Sequence, residues 1–321
     1  MRAAVCPHYG PPEVVQVVEH TAPAAGPGQV GVRVDAAAVN YPDVLLVANS
    51  YQISVPPPFV PGSEFAGVVD ELGSGVTAFA IGDRVTGTGL FGAFAERVVV
   101  ETASLSPIPD GIDARTAAAS GVAHRTAYHT LRSMARVSAG DELVVLGAGG
   151  GVGLAAVQLG VALGAHVTAV ASSDEKLEVA GNYGARRLIN HRHAELRSAL
   201  RDALPDGADA VVDPVGGELS EPALRSLRRG GRFVTVGYAS GVIPRIPLNL
   251  VLVKGIHILG FQFRDVAPEE FERNERELHA LLTSGRVTPH IGAVFPLDDT
   301  VGALRLVGDG KAIGKVLIEM G

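Results

Sequence analysis

Between Leu143 and Lys176 the chain reads LVVLGAGGGVGLAAVQLGVALGAHVTAVASSDEK, and no other stretch limits its possible folds so strongly. An apolar, β-branched run (Leu143 to Leu146) enters a loop containing Gly147, Gly149, Gly150, Gly151 and Gly153. A helical pattern follows, with Leu154, Val157 and Val161 at turn spacing, and then a second apolar run from Val167 to Ala171. Strand, glycine turn, helix and second strand in that order form the unit that grips a dinucleotide pyrophosphate. Glycines permit the sharp turn and close backbone approach, and the helix start offers unpaired N–H groups to the phosphates. The spacing is G-x-x-G-x-x-G rather than G-x-G-x-x-G, because Ala148 takes the second glycine's place. Gly147, Ala148, Gly150, Gly151, Val152 and Gly153 are therefore the expected pyrophosphate-contacting residues.

The same stretch competes with a membrane-span reading, since Leu143 to Ala165 carries no charge and exceeds the roughly 18 apolar residues a span needs. Glycines at about 1 kcal/mol each against alanine make it a poor isolated helix, and the second strand favours a buried β-α-β unit. In such units an acidic residue at the end of the second strand, about 20 residues past the loop, binds the ribose 2′-hydroxyl of NAD. Here that place falls on Ala171 or Ser172, and Ser172, Ser173 and Lys176 lie nearby. This pattern suits the 2′-phosphate of NADPH. A second reading is an S-x-x-E capping box from Ser172 to Glu175 with Lys176 on a solvated face; Asp174, if turned inward, would favour NADH.

The 321 residues suit two domains. Hydrophobic content of 47% and charged content of 19% describe a compact globular protein, and a net charge of −7 disfavours nucleic acid. Cys6 is the one cysteine, so neither an internal disulfide nor a cysteine-based zinc site is available; a buried thiol is expected. The start, MRAAVCPHYG, lacks a secretory signal's apolar stretch, and the expectation is a cytoplasmic protein with no membrane partner.

Residues 1 to about 118 read as short β runs punctuated by Gly and Pro, such as Val30–Val34, Phe65–Val69, Asp83–Val85 and Phe94–Val100, suggesting a small, partly open barrel. Asp113 to Met134 is helical in pattern. Beyond it, strands at 143–146, 167–171, 187–190, 210–213, 232–237 and 256–261 alternate with helices, including 194–204 and 219–227, which predicts an α/β doubly wound parallel sheet. A further amphipathic helix spans 269–284. The tail carries a helix near 300–308 and a strand at 314–318, and is expected to return to the first domain.

Several motifs now stand together: Ala38-Val-Asn-Tyr-Pro-Asp43, Pro61-Gly-Ser-Glu-Phe-Ala-Gly-Val-Val69, Gly82-Asp-Arg-Val85, Thr126-Ala-Tyr128, the glycine loop, Asp213-Pro-Val-Gly216 and Gly314-Lys-Val316. Over nearly its full length the chain resembles the zinc-free medium-chain dehydrogenases/reductases, in their NADPH:quinone oxidoreductase (zeta-crystallin-like) branch. The resemblance implies a GroES-like β-rich catalytic domain (1–120 and 263–321) and a Rossmann dinucleotide-binding domain (121–262). Zinc-dependent relatives carry Cys where this chain has Asn40 and His where it has Ser63, and they insert a cysteine-rich lobe after the Gly-Asp-Arg-Val turn. The short loop from Thr86 to Phe94 has none. Catalytic zinc takes three protein ligands, and the closest histidine pair, His191 and His193, fits a solvated turn; no metal is expected.

The resemblance places Asn40, Tyr51 and Thr126 near nicotinamide and substrate, with Tyr41 an addition. The family's first active-site tyrosine falls on Leu45, so the proton donor stays open among Tyr51, Tyr41 and solvent. It places Val215, Gly237, Tyr238, Phe261 and Phe263 at strand ends beside the cofactor, His191 beside the 2′-phosphate, and Lys315 close to the cofactor. Structural alternatives remain: Asn40 as a turn cap, and Phe261 and Phe263 as core. The implied activity is metal-free hydride transfer from NADPH to a small electrophile. A quinone leads, an enone or 2-enoyl thioester is the alternative, and a non-catalytic NADPH-binding protein is a third reading. Without a Lewis acid, such an acceptor needs only positioning and hydrogen bonding to its oxygen. The resemblance also implies a homodimer, paired through the edge strand at 256–261.

Overall fold

The computed structural model describes residues 1–321 and divides them into two units, Met1–Val122 with Pro289–Gly321, and Ala123–Thr288.

The first unit opens with an antiparallel pair, β1 (Arg2–Val5) and β2 (Gln16–Glu19). The long strand β3 (Gln29–Val39) leads into a short helix, α1 (Tyr41–Val47). Then come β4 (Glu64–Leu72), β5 (Arg84–Thr88), β6 (Arg97–Glu101), β7 (Leu105–Pro107) and helix α2 (Ala114–Ser120). Alternation along β3 sends Val30, Val32 and Val34 into a core with Phe65, Val69, Val85 and Phe94. Cys6 is buried just past β1, and burial raises its thiol pKa.

The second unit begins with α3 (Ala123–His129), continued by a π-helical turn at Thr130–Met134. The helical pattern over 113–134 is thus made of α2, α3 and this turn, with a break between α2 and α3. Gly121 lies at the break, where an added Cβ would come within 2.9 Å of Glu64 Oε2. Strands β8 (Glu142–Leu146), β9 (His166–Ala171), β10 (Arg187–Asn190), β11 (Ala208–Asp213), β12 (Leu227–Thr235) and β13 (His257–Gly260) alternate with α4 (Gly151–Ala162), α5 (Asp174–Asn182), α6 (Leu196–Ala203), α7 (Ser220–Ser226) and α8 (Asn249–Lys254). All six strands are parallel, in the order β10-β9-β8-β11-β12-β13. The order reverses between β8 and β11. In open α/β sheets, ligands gather at the carboxyl ends of strands flanking such a reversal. The apolar run at 143–165 is thus a strand, a loop and a helix of 12 residues, and no helix is long and apolar enough to cross a membrane.

Helix α9 (Pro268–Thr283) belongs to this second unit. Residues 263–288 therefore lie with the parallel sheet, not with the β-rich part to which the resemblance assigned them. Polar ties hold the helix: Asn274 Nδ2 donates to Ser133 Oγ (2.9 Å), Arg125 pairs with Glu275 (2.9 Å), and Tyr128 Oη donates to Glu277 (2.6 Å). His129 is fully buried between Glu275 and Asn274, so it is a satisfied structural histidine. The chain ends with β14 (Ile291–Pro296), α10 (Thr300–Gly308) and β15 (Lys315–Glu319). The last strand returns to the first unit and pairs with β3 in the order β14-β15-β3-β4-β5-β7.

Candidate functional site

In the second unit the glycine loop sits where the strand order reverses. Gly147 has φ +61°, a left-handed conformation glycine enters without strain. An added Cβ there would lie 2.6 Å from Val215 Cγ2. Gly153 packs its Cα against the loop itself, because a Cβ would fall 2.0 Å from Gly147 O. Gly150 is the N-cap of α4 and Gly151 its first residue; no side chain caps the helix, so its first amides face the loop mouth. Ala148 is buried and donates its N–H to Val170 O (3.0 Å), while Val152 packs on the core. Gly149 leaves room for the Lys176 stem, whose Cβ, Cγ and Cδ would lie 2.5–2.8 Å from an added Cβ. Gly153→Ala is expected to empty this cradle, destabilising the chain by about 1–3 kcal/mol and abolishing nucleotide binding, as calorimetric titration would register.

Opposite the loop, the buried Asp213 holds the turn after β11. Its Oδ1 accepts from Val215 N and Gly216 N (2.8 Å each), and Oδ2 accepts from Ser220 Oγ (2.6 Å). Gly237 follows β12, and Tyr238 beside it is 37% exposed. Phe261 is buried and Phe263 partly exposed in an aromatic cluster with Phe271 and His129, the two phenylalanine rings 5.0 Å apart. Thr126 lies half-buried on α3.

At the end of β9, Ser173 is the N-cap of α5, its Oγ accepting from Lys176 N (3.3 Å). The cap is thus one residue later than the Ser172–Glu175 box anticipated, and the third helical residue is a lysine, so no reciprocal box forms. Ser172, Ser173, Lys176 and His191 are all partly exposed on this rim. Burial lowers the Lys176 pKa, and burial with the neighbouring Arg192 and Lys176 charges lowers that of His191. Asp174 is tied to Asn190, whose Nδ2 donates to Asp174 Oδ1 (2.6 Å).

The first unit holds a buried polar cluster where its strands meet α1. Asn40, the N-cap of α1, is buried and its amide is fully engaged. Nδ2 donates to Glu64 Oε1 (2.8 Å) and lies 3.2 Å from Ser63 Oγ; Oδ1 accepts from Lys315 Nζ (2.6 Å). Glu64, wholly buried, also accepts from Lys315 Nζ (2.5 Å) and from Val122 N (2.6 Å). Asp43, equally buried, accepts from Asn40 N (2.7 Å), and burial pushes its pKa up to about 7. Its Oδ1 has no partner at hydrogen-bonding distance, although the Ser63 hydroxyl is near enough to act against that rise. The Lys315 ammonium is thus the direct counter-ion of Glu64 and acts on Asp43 only as a nearby charge. Tyr41 is the first residue of α1, and Tyr51 packs on this unit's core.

Sequence reasoning passed over Asp43 and Glu64. The signals were available: Asn40-Tyr-Pro-Asp43 carries a cap residue, an early helical proline and an acid at the third position, and Glu64 opens the strand that continues in apolar Phe65 to Val69.

Residues 26–110 match the alcohol dehydrogenase GroES-like domain, and residues 151–280 match the zinc-binding dehydrogenase model. Quinone oxidoreductase-like protein 2 of Bos taurus is 36% identical, with 99% of this chain and 92% of that protein aligned. Quinone oxidoreductase of Rattus norvegicus is 31% identical, covering 99% of this chain and 97% of its own. The chain belongs to the quinone oxidoreductase branch of the medium-chain dehydrogenases/reductases. Among solved oxidoreductases of this kind, the Escherichia coli quinone oxidoreductase complexed with NADPH superposes with a TM-score of 0.91 at 27% identity, covering all of both chains.

The family model's zinc does not fit the residues of this quinone oxidoreductase relative. No three His, Cys, Asp or Glu side chains converge on one point. At Asn40, Ser63 and Glu64 the positive charge is the Lys315 ammonium, which already engages the Glu64 and Asn40 oxygens.

Proposed function

We propose that the chain is an NADPH-dependent reductase of quinones that works without a metal. The observation that carries the cofactor reading is the rim of the second unit. Two serines, a lysine lying along the glycine loop and a histidine stand there, and the Asp174 carboxylate is hydrogen-bonded to Asn190. The glycine cradle and the uncapped start of α4 suit the pyrophosphate. When bound, NADPH supplies a hydride equivalent, which with one proton converts a quinone to its hydroquinone. Asn40 has no amide group to spare for an acceptor, so we assign it, with Lys315, to holding the buried cluster. The proton for an acceptor's oxygen then comes from Tyr51, Tyr41 or solvent. The name and cofactor of the Escherichia coli relative support the same reading.

Binding titrations test it. Lys176→Ala should weaken NADPH about tenfold or more, the contribution of a charge-assisted hydrogen bond, and leave NADH unchanged; an unaltered NADPH affinity would refute the assignment. A panel of quinones, enones and 2-enoyl thioesters under NADPH oxidation then reads the acceptor. Preference for enones would move the activity to that class, and binding without turnover would make the chain a nucleotide-binding module.

We also infer a homodimer built on β13. This strand is the sheet's outer edge, with Ile258 37% exposed, and Leu248 and Leu252 of the preceding segment are 74% and 85% exposed. Pairing with a second copy removes both the open edge and the apolar patch. Sizing with light scattering should return twice the chain mass, and a monomer at micromolar concentration would exclude it.

A further inference from the structure

We propose that Asn190 sets the cofactor preference of this chain by holding the Asp174 carboxylate away from the ribose 2′ position. The inference rests on the NADPH reading above. It starts from register: β10 runs parallel to β9, and its last residue, Asn190, is paired with Ala171, the last residue of β9. Two residues beyond Ala171, Ser173 caps α5, and Asp174 is the first residue of that helix. The end of β10 is thereby brought beside Asp174, the rim carboxylate that starts α5 and would serve as the ribose acid of an NADH site.

The Asn190 amide is engaged at both ends. Nδ2 donates to Asp174 Oδ1 (2.6 Å), and Oδ1 accepts from Arg192 N (3.0 Å). The Asn190 carbonyl accepts from His193 N and Ala194 N (3.1 Å each), so the turn carrying His191 and Arg192 is built on the same residue. The acceptor role toward Arg192 N fixes which end of the amide faces Asp174. Only a neutral side chain with both a donor and an acceptor does both tasks: aspartate would repel Asp174, and an aliphatic residue would release it. Released, Asp174, the first residue of α5 and three residues past the end of β9, is free to turn toward the strand end, where an acidic side chain accepts from a 2′-hydroxyl and repels a 2′-phosphate. Asn190 is thus a positioning residue that acts through Asp174.

The test is direct titration of NADPH and NADH into the full-length protein, wild type against Asn190→Ala, Asp174→Asn and the double variant. Asn190→Ala should lower the ratio of NADPH to NADH affinity about tenfold, the scale of bringing one exposed like charge to about 4 Å from the phosphate. Asp174→Asn alone should leave the ratio at or above the wild-type value, and the double variant should restore it. Thermal melts of all four proteins check that the fold survives. A ratio unchanged in Asn190→Ala, or a loss that Asp174→Asn does not reverse, would overturn the proposal and leave Asn190 as a turn residue only. A wild type that prefers NADH overturns both this inference and the NADPH reading. A wild type that prefers NADPH with an unaffected Asn190→Ala overturns this one alone.

Discussion

Lys315→Met should lower the unfolding free energy by about 3–5 kcal/mol, the loss observed when one partner of a buried ion pair is removed. Glu64 is fully buried, and Lys315 is 3% exposed, so water cannot replace the missing ammonium. The Asn40 carbonyl loses its donor in the same step. The effect comes from the charge left behind, not from the loss of a favourable contact. Lys315→Met combined with Glu64→Gln should therefore recover part of the loss, because a neutral amide leaves no unpaired buried charge, while its single oxygen replaces only one of the two Glu64 oxygens that accept from Asn40 Nδ2 and Val122 N. Urea midpoints for the wild type, both single variants and the double variant measure this. A Lys315→Met midpoint equal to that of the wild type would mean that the ion pair contributes nothing.

Asp43→Asn should remove a pH-dependent penalty. Burial raises the Asp43 pKa from 3.8 to about 7, so between these values the folded chain keeps a proton that the unfolded chain has released. Stability therefore falls as pH rises through that window and levels off above it. The full gap corresponds to about 4 kcal/mol, and about 2–3 kcal/mol of it develops between pH 5 and pH 8. Asparagine does not titrate and still offers an oxygen to Asn40 N. The variant should gain on the wild type by that amount across the window, measured by denaturant unfolding at each pH. Parallel pH profiles for the two proteins would show that Asp43 is ionised throughout.

Both predictions fall on a cluster that the linear sequence does not announce. Lys315 lies 251 residues from Glu64 and 275 from Asn40, and each sits in an ordinary apolar strand or turn. No spacing rule links them. The cofactor-binding β-α-β unit was legible because its signal is local. Glycine placement, strand character and helix periodicity all fall within about thirty residues and point to one structure. Element boundaries were less secure. Position 173 rather than 172 caps α5, because both are serines and only the path of the backbone leaving β9 decides between them.

The amphipathic pattern of 269–284 shows that one face of α9 is buried, but a helical stripe does not name its partner. His129, Ser133, Arg125 and Tyr128 decide that, and they put the helix in the second unit. Sequence alone thus determined the parallel-sheet architecture, the glycine cradle and the lack of an acid at the usual ribose position, because each is written in neighbouring residues. Tertiary structure decided the rest: Lys315 as the counter-ion of Glu64, Asn40 as a locked amide, and Asp174 turned toward Asn190. The physical reason is that strand pairing sets side chains beside one another regardless of their separation along the chain, and a buried charge is defined by what surrounds it in space.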